Sequence, residues 1–329
     1  MNRVEIYLKT KERLEELAKS EHVDINKYYS PATPQTMKKN RAESQVYIAE
    51  SCSNMDLPFL FYQFCGLLAD RQYMGNIIKF YSKSSDTQQI LSDVLSGYDP
   101  KKVLENYTDA CALKQAIISR YPNKIQNDSK WENYLTGVYQ CARFLVDGKI
   151  EGTDLSFEYL LTEPKTADEL KIYLHKLRVL IVNLCEVGPA VCYNWLKECG
   201  AVWLAKPDLH IKRVVAAELL KSENKTFDLE RDNADTIIAD YRKRNMEKMG
   251  FPNNAGIRKS CKLYVDEYVA VYMWEWAQEI RNNSIDSQCS AFKLDRILYL
   301  YCTNGRFYLD DDRDDDISEE GLLGMIGEE

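Results

Sequence analysis

Apolar side chains recur at intervals of three and four residues along most of this chain, whereas strand-like alternation is almost absent. Residues 3–20 show the pattern clearly, with apolar positions on one face and many lysines and glutamates elsewhere, which predicts an amphipathic helix. A second helix is predicted to start at residues 56–59. The same period predicts further helices over 71–82, 86–96, 100–119, 130–146, 154–161, 166–184, 189–199, 208–222, 232–248, 257–281 and 291–301. The chain is therefore predicted to have an all-α fold.

The composition is that of a soluble globular protein. The chain has 329 residues, of which 45% are hydrophobic and 29% charged. No apolar run approaches the roughly 20 residues that span a bilayer, and the first residues lack the apolar core of a secretory signal. The ten cysteines are scattered rather than densely spaced, which is typical of reduced thiols. We expect a cytoplasmic protein without a membrane partner.

The negative charge is concentrated at one end. The net charge is −8, yet residues 310–329 alone contain six aspartates, four glutamates and one arginine, so the remainder of the chain is near +1. A block of like charges resists packing, and we predict a disordered acidic tail over 310–329. Such a tail has two interpretations. It is either a solubilising segment, which we favour, or an internal mimic of nucleic acid.

Residues 185–214 carry the strongest chemical signal. Glu186-Val187-Gly188-Pro189 predicts a tight hairpin that opens a helix, and Asp208 follows at the start of the next helix. The amides at the start of a helix after a glycine turn point outward and form a ready phosphate site. A carboxylate at a fixed distance beyond that turn can reach a sugar of the nucleic-acid strand that carries the bound phosphate.

This stretch resembles the helix-hairpin-helix DNA glycosylases (the HhH-GPD superfamily). Their pattern is hydrophobic-x-Gly-Val-Gly-x-Lys-Thr-Ala followed by Val-Asp-Thr-His about eighteen residues later. Val187-Gly188 matches the hairpin and Pro-Asp-Leu-His at 207–210 matches the second box, with 18 positions between Ala190 and Asp208. The chain departs from the pattern at Glu186, which replaces the first glycine, and at Pro189, which removes one N–H donor.

The resemblance implies a two-lobed helical fold that binds double-stranded DNA with a damaged or modified base. A six-helix bundle lobe is expected over 55–204, with the helix-hairpin-helix at about 178–199. Residues 1–54 and 205–309 are expected to form the other lobe, and 310–329 the tail. A cleft between the lobes is expected to hold the DNA and the extruded nucleotide. We expect a monomer.

The resemblance also implies roles for individual residues. Asp208 is the expected catalytic carboxylate, which stabilises the cationic sugar and orients the attacking water. The backbone of Val187, Gly188, Ala190 and Val191 is expected to hold a DNA phosphate. Ala190 stands where bifunctional members have their lysine nucleophile, which predicts base release without strand cleavage. Lys206 leaves a residual lyase activity open, although we favour a phosphate contact or a solvated surface lysine.

Further contacts are expected around these residues. Lys206, Lys212 and Arg213 are expected to contact the DNA backbone, either Arg71 or Gln72 to fill the space left by the flipped base, and His210 to support the Asp208 loop. Cys261, Cys289 and Cys302 are too widely spaced for an iron–sulfur cluster, and we expect no metal and no cofactor. Which base is excised stays open, since DNA repair and defence against phage DNA with hypermodified bases both fit. The alternatives are a non-catalytic helix-hairpin-helix DNA-binding protein and an all-α interaction protein with a chance match.

Overall fold

Regular structure in this protein is helical, as the periodicity predicts. The computed structural model describes residues 1–31, 57–70, 86–120, 129–150, 152–153, 155–184, 187–249, 261–303 and 318–327. Within these ranges the only β-type pairing is an isolated bridge between Lys149 and Ser156, so the predicted all-α class is confirmed. No helix in the described ranges has the length and apolar character to cross a membrane.

The described residues form fourteen α-helices and one short 3₁₀ helix, Ile25–Tyr28. The α-helices in chain order are α1 (Arg3–Ser20), α2 (Leu57–Asp70), α3 (Asp86–Val94), α4 (Pro100–Asn106), α5 (Ala110–Arg120), α6 (Ser129–Asp147), α7 (Phe157–Leu160), α8 (Ala167–Asn183), α9 (Pro189–Glu198), α10 (Leu209–Lys221), α11 (Ala234–Met249), α12 (Cys261–Asn282), α13 (Ala291–Cys302) and α14 (Glu319–Gly327).

The chain divides into two compact units. The terminal unit comprises residues 1–31, 163–174 and 202–329, and the central unit comprises 32–162 and 175–201. The sequence-based boundaries assign 163–174 to the bundle lobe, whereas the contacts of these residues place them in the terminal unit. The reason is that Tyr173, on this segment, packs its ring edge-to-face against Trp203 of the terminal unit.

The core of the central unit is built around α6. This amphipathic helix packs against α2, α4 and α5, and α2 also packs against α9. Trp195 of α9 is fully buried, and its indole N–H donates to the Leu60 carbonyl at 3.0 Å. Its ring meets those of Phe64, Phe144 and Phe157 at centroid distances of 5.1–6.5 Å. These contacts anchor α9, the helix that follows the predicted hairpin, through its second half.

The terminal unit is organised by α10, which packs against α11, α12, α13 and α14. Helix α1 lies against α12, α13 and α14. An Asn2–Glu5 capping box satisfies the backbone at the N-terminus of α1. Because α10 is central to this unit, Asp208 at its N-terminus belongs to a well-supported element.

The prediction of a disordered tail through residue 329 is wrong for its later part. Residues 319–327 form α14, which packs on α1, α10 and α13. Leu322, Leu323 and Ile326 lie on one helical face and are buried, so apolar burial outweighs the general acidity of the region. The acidic block 310–316 lies outside the described residues.

A partly buried polar cluster on α1, α13 and the loop before α13 gives a pH-dependent contribution to stability. The Tyr7 hydroxyl donates to Asp286 Oδ2 at 2.6 Å, and Lys293 Nζ lies 2.6 Å from the same oxygen. Burial alone would raise the pKa of Asp286, but these two partners outweigh it and lower the pKa below its usual value.

We therefore expect Asp286→Asn to destabilise the protein at pH 7 by about 1.5–3 kcal/mol, as is typical for a charged hydrogen bond. Because the folded-state pKa is depressed, this stabilisation is present above the usual carboxyl pKa and is lost as the pH falls through the folded value. Urea unfolding of both proteins at pH 7 and pH 3 measures the difference. If the substitution lowers the free energy of unfolding equally at pH 7 and pH 3, the ionised Asp286 is not the source of the stabilisation.

Candidate active site

Asp208 occupies the N-cap of α10, where its carboxylate orientation is fixed. The Ile211 N–H donates to Asp208 Oδ1 at 3.1 Å, and the cap backbone is extended. Asp208 also donates its own N–H to the Lys206 carbonyl at 2.8 Å. The side chain keeps 15% of its surface exposed. One oxygen is thus held by the helix end, as in other N-caps, and the second is available for another partner.

Lys206 faces this second oxygen. Its Nζ lies 3.6 Å from Asp208 Oδ2, and its side chain is 34% exposed. The same ammonium group lies 6.0 Å from the centre of the Tyr299 ring. Lys206 is therefore placed beside the candidate catalytic carboxylate and can still contact a phosphate.

His210 is bound to the C-terminal helix rather than to the Asp208 carboxylate. Its Nδ1 lies 2.9 Å from Glu319 Oε1, and its ring packs edge-on against Tyr299. Arg213 donates from NH1 to the other oxygen of Glu319 at 2.6 Å. The predicted support of the Asp208 loop by His210 is therefore replaced by an anchor between α10 and α14. Arg213 remains 25% exposed and is partly neutralised by Glu319.

Lys212, a predicted DNA contact, is buried and paired with two carboxylates. Its side chain is only 6% exposed, and its Nζ lies 2.5 Å from Asp266 Oδ1 and 2.8 Å from Asp235 Oδ1. Burial alone would lower the pKa of Lys212, but the two carboxylates outweigh it and raise the pKa. The position of Lys212 on the helix explains this burial, because it lies on the face of α10 that packs against α11 and α12.

The predicted phosphate-binding hairpin lies in the central unit, and its set of amides is smaller than expected. Val187 is buried and donates its N–H to the Leu184 carbonyl at 3.2 Å, and Val191 donates to the Gly188 carbonyl at 3.1 Å. Both amides are therefore already bonded. Gly188 is the N-cap of α9 without a side-chain cap. No backbone acceptor among the described residues pairs with the N–H of Gly188 or Ala190, and their phosphate contact stays a prediction.

A cavity of about 390 Å³ lies within the terminal unit. Its walls include the buried rings of Tyr29, Trp203 and Trp274, together with the cationic side chains of Arg281 and Lys293. Flat apolar faces beside polar groups are what recognition of a nucleobase requires. Trp203 precedes Asp208 by five residues, so their backbones are separated by at most about 18 Å of extended chain.

Other predicted residues are not placed. Arg71 and Gln72 lie outside the described residues, as does Glu186 of the hairpin. Sequence reasoning also missed three residues around α10, namely Tyr299, Cys302 and Glu319. The only available signal for Glu319 is the apolar spacing of the residues that follow it.

No protein-family model, curated protein sequence or solved structure matches this chain. Its candidate site therefore has to be interpreted from its own residues.

Proposed function

We propose that this protein is a monofunctional DNA glycosylase that hydrolyses the bond between a damaged or modified base and its deoxyribose. The observation that carries the proposal is the arrangement at Asp208. This carboxylate follows a proline, is oriented by the N-terminus of α10, and presents a second oxygen beside Lys206. The match of 207–210 to the glycosylase pattern, 18 positions after Ala190, supports the same role.

The chemistry requires a fixed negative charge. When the C1′–N bond breaks, its electron pair leaves with the base and the sugar becomes cationic, as in sugar hydrolysis. An oriented carboxylate stabilises this cation and accepts a proton from the attacking water. The water oxygen bonds to C1′, and the released base takes up a proton. The products are a free base and an intact strand with an abasic site.

Backbone N–H groups of the central unit and a lysine of the terminal unit, each taken by itself, support a contact with the DNA backbone. The N–H groups of Gly188 and Ala190 stand at the start of α9, where the helix dipole favours an anion. Lys206 supplies a partly exposed cation beside Asp208. Lys212 is not part of this proposal, because it is buried and paired.

The cavity walled by Tyr29, Trp203 and Trp274 is our candidate for the base pocket. It offers aromatic faces for stacking and cationic groups for the polar edge of a base. Its volume is in the range of small-molecule sites, about 300–1,000 Å³. The proposal leaves the identity of the base to experiment.

The experiment is a screen of end-labelled duplexes that each carry one oxidised, alkylated, deaminated, mismatched or hypermodified base. After incubation, hot alkali converts any abasic site into a strand break. We expect breaks at one class of base and none in undamaged duplex. Duplex binding without base release at any position would instead identify the non-catalytic DNA-binding alternative. Absence of both base release and duplex binding would support an all-α interaction protein whose match to the glycosylase pattern is accidental.

We also expect borohydride to trap no covalent protein–DNA adduct during turnover. The position of the family nucleophile is Ala190, which cannot form a Schiff base, and Lys206 Nζ lies 3.6 Å from Asp208 Oδ2. The measurement is denaturing electrophoresis after reduction with borohydride, with Lys206→Ala as the matched variant. An adduct that forms with the unmodified protein and disappears in Lys206→Ala would show a lyase mechanism and overturn the monofunctional assignment.

A further inference from the structure

Three metal-binding side chain types meet where α10, α13 and α14 pack together. His210, Cys302 and Glu319 each offer one ligand atom, and these atoms all lie within 4.8 Å of one another. The thiol and the carboxylate are on buried residues, with 6% and 8% of their surface exposed, and the imidazole is partly exposed. Glu319 lies 109 residues from His210 in the chain, so the fold itself brings the cluster together.

The chemistry of this set matches one class of ion. An imidazole, a thiolate and a carboxylate together are typical ligands of Zn²⁺, at distances of about 2.0–2.3 Å from the metal. A tetrahedral site with one thiolate and such distances separates its ligand atoms by about 3.3–3.6 Å. The widest pair in the cluster therefore contracts by up to about 1.3 Å on binding, and the 2.9 Å between His210 Nδ1 and Glu319 Oε1 widens by about 0.4 Å.

The surroundings provide a second layer of contacts. Arg213 holds Glu319 Oε2 at 2.6 Å, so that Oε1 is directed towards His210. Ligating carboxylates are commonly oriented in this way by a hydrogen-bonded neighbour. The Tyr299 ring packs edge-on against the imidazole and restricts its rotation. Two of the three ligands are thus oriented before any ion binds.

We propose that His210, Cys302 and Glu319 bind one Zn²⁺ ion, with water in the fourth position. On binding, the Cys302 thiol releases its proton to solvent and the sulfur–zinc bond forms. The proton between His210 Nδ1 and Glu319 Oε1 moves to Nε2 by way of solvent, so that Nδ1 and Oε1 bind the ion in place of their hydrogen bond. The ion then joins α14 to α10 and α13 within the terminal unit. This site goes beyond the proposed glycosylase and does not depend on it, because Asp208 is not among the ligands.

The test uses the untagged, full-length protein and Co²⁺ as the spectroscopic probe for Zn²⁺. We expect a thiolate-to-cobalt charge-transfer band in the near ultraviolet, removed by one equivalent of Zn²⁺. Cys302→Ser should abolish the band and weaken Zn²⁺ binding at least about 100-fold. The matched control is Cys289→Ser, since Cys289 is also fully buried in the terminal unit but lies outside the cluster.

Thermal unfolding gives a second readout that keeps the test decisive if a variant folds poorly. Zn²⁺ should raise the Tm of the unmodified protein and of Asp208→Asn, but not that of Cys302→Ser or Glu319→Gln. The absence of any cobalt band or Tm shift in the unmodified protein at millimolar metal would overturn the proposal. So would a thiolate band that persists in Cys302→Ser.

Discussion

Replacement of Asp208 by asparagine is expected to lower the rate of base release by about 10³-fold or more while leaving DNA binding within about twofold. The magnitude follows from the loss of both the general base and the charge that stabilises the cationic sugar. Asparagine caps helices about as well as aspartate, so the Ile211 N–H keeps its acceptor and the fold is preserved. Single-turnover release of the base, measured by alkali cleavage, and duplex affinity together test this expectation.

The matched control for this substitution is Asp99→Asn. Asp99 is also an N-cap aspartate, since its side chain accepts from the N–H groups of Lys101 and Lys102 at the start of α4. It belongs to the central unit and has no part in the proposed chemistry. We expect unchanged release in this variant. Equal losses in Asp99→Asn and Asp208→Asn would assign the effect to helix capping rather than catalysis.

Removal of the charge of Lys212 is expected to have the largest effect on stability. In Lys212→Met the buried Asp266, which is 1% exposed, loses its ion pair with Lys212. Breaking a buried ion pair on one side typically costs about 3–5 kcal/mol. Urea unfolding at pH 7 measures this loss. We also expect the Lys212→Met/Asp266→Leu double variant to recover much of it.

A surface ion pair provides the control. Lys225 Nζ lies 2.9 Å from Glu223 Oε2, and the Lys225 side chain is 62% exposed. Lys225→Met should change the free energy of unfolding by less than about 1 kcal/mol, since exposed pairs contribute little. If Lys212→Met lowers the free energy of unfolding no more than Lys225→Met does, the Lys212 ion pair is not buried in solution. Lys212 would then be available again as a DNA contact.

Most of the helical structure could be predicted from the 3.6-residue period. The predicted segment 130–146 differs from α6 by one residue at each end, and 291–301 differs from α13 by one residue at its C-terminal end. The predicted helix 100–119 is instead two helices, because Tyr107 is extended and Asp109 accepts from the Ala112 N–H to begin α5. A capping aspartate inside a continuous apolar pattern is easily overlooked. The acidic block at 310–316 likewise led to a prediction of disorder for the whole of 310–329, although the apolar residues of α14 follow it.

The candidate site was predictable only in part. The Pro-Asp pair at 207–208 correctly indicates a helix start, because proline and a capping carboxylate are local signals. The burial of Lys212 and the pairing of His210 and Arg213 with Glu319 depend on partners distant in the chain. Residue type and spacing carry no information about such contacts. For the same reason the juxtaposition of Cys302 with His210 and Glu319 appears only in the folded chain.

The most direct test of the central claim does not require the substrate base. It compares binding to two duplexes, one with a cationic pyrrolidine in place of a nucleotide sugar and one with a neutral tetrahydrofuran. The account predicts that the protein prefers the cationic analogue by about 100-fold, as expected for a mimic of the cationic transition state. Asp208→Asn should lose this preference and Asp99→Asn should retain it. Equal affinity of the unmodified protein for the two duplexes would contradict the role of Asp208.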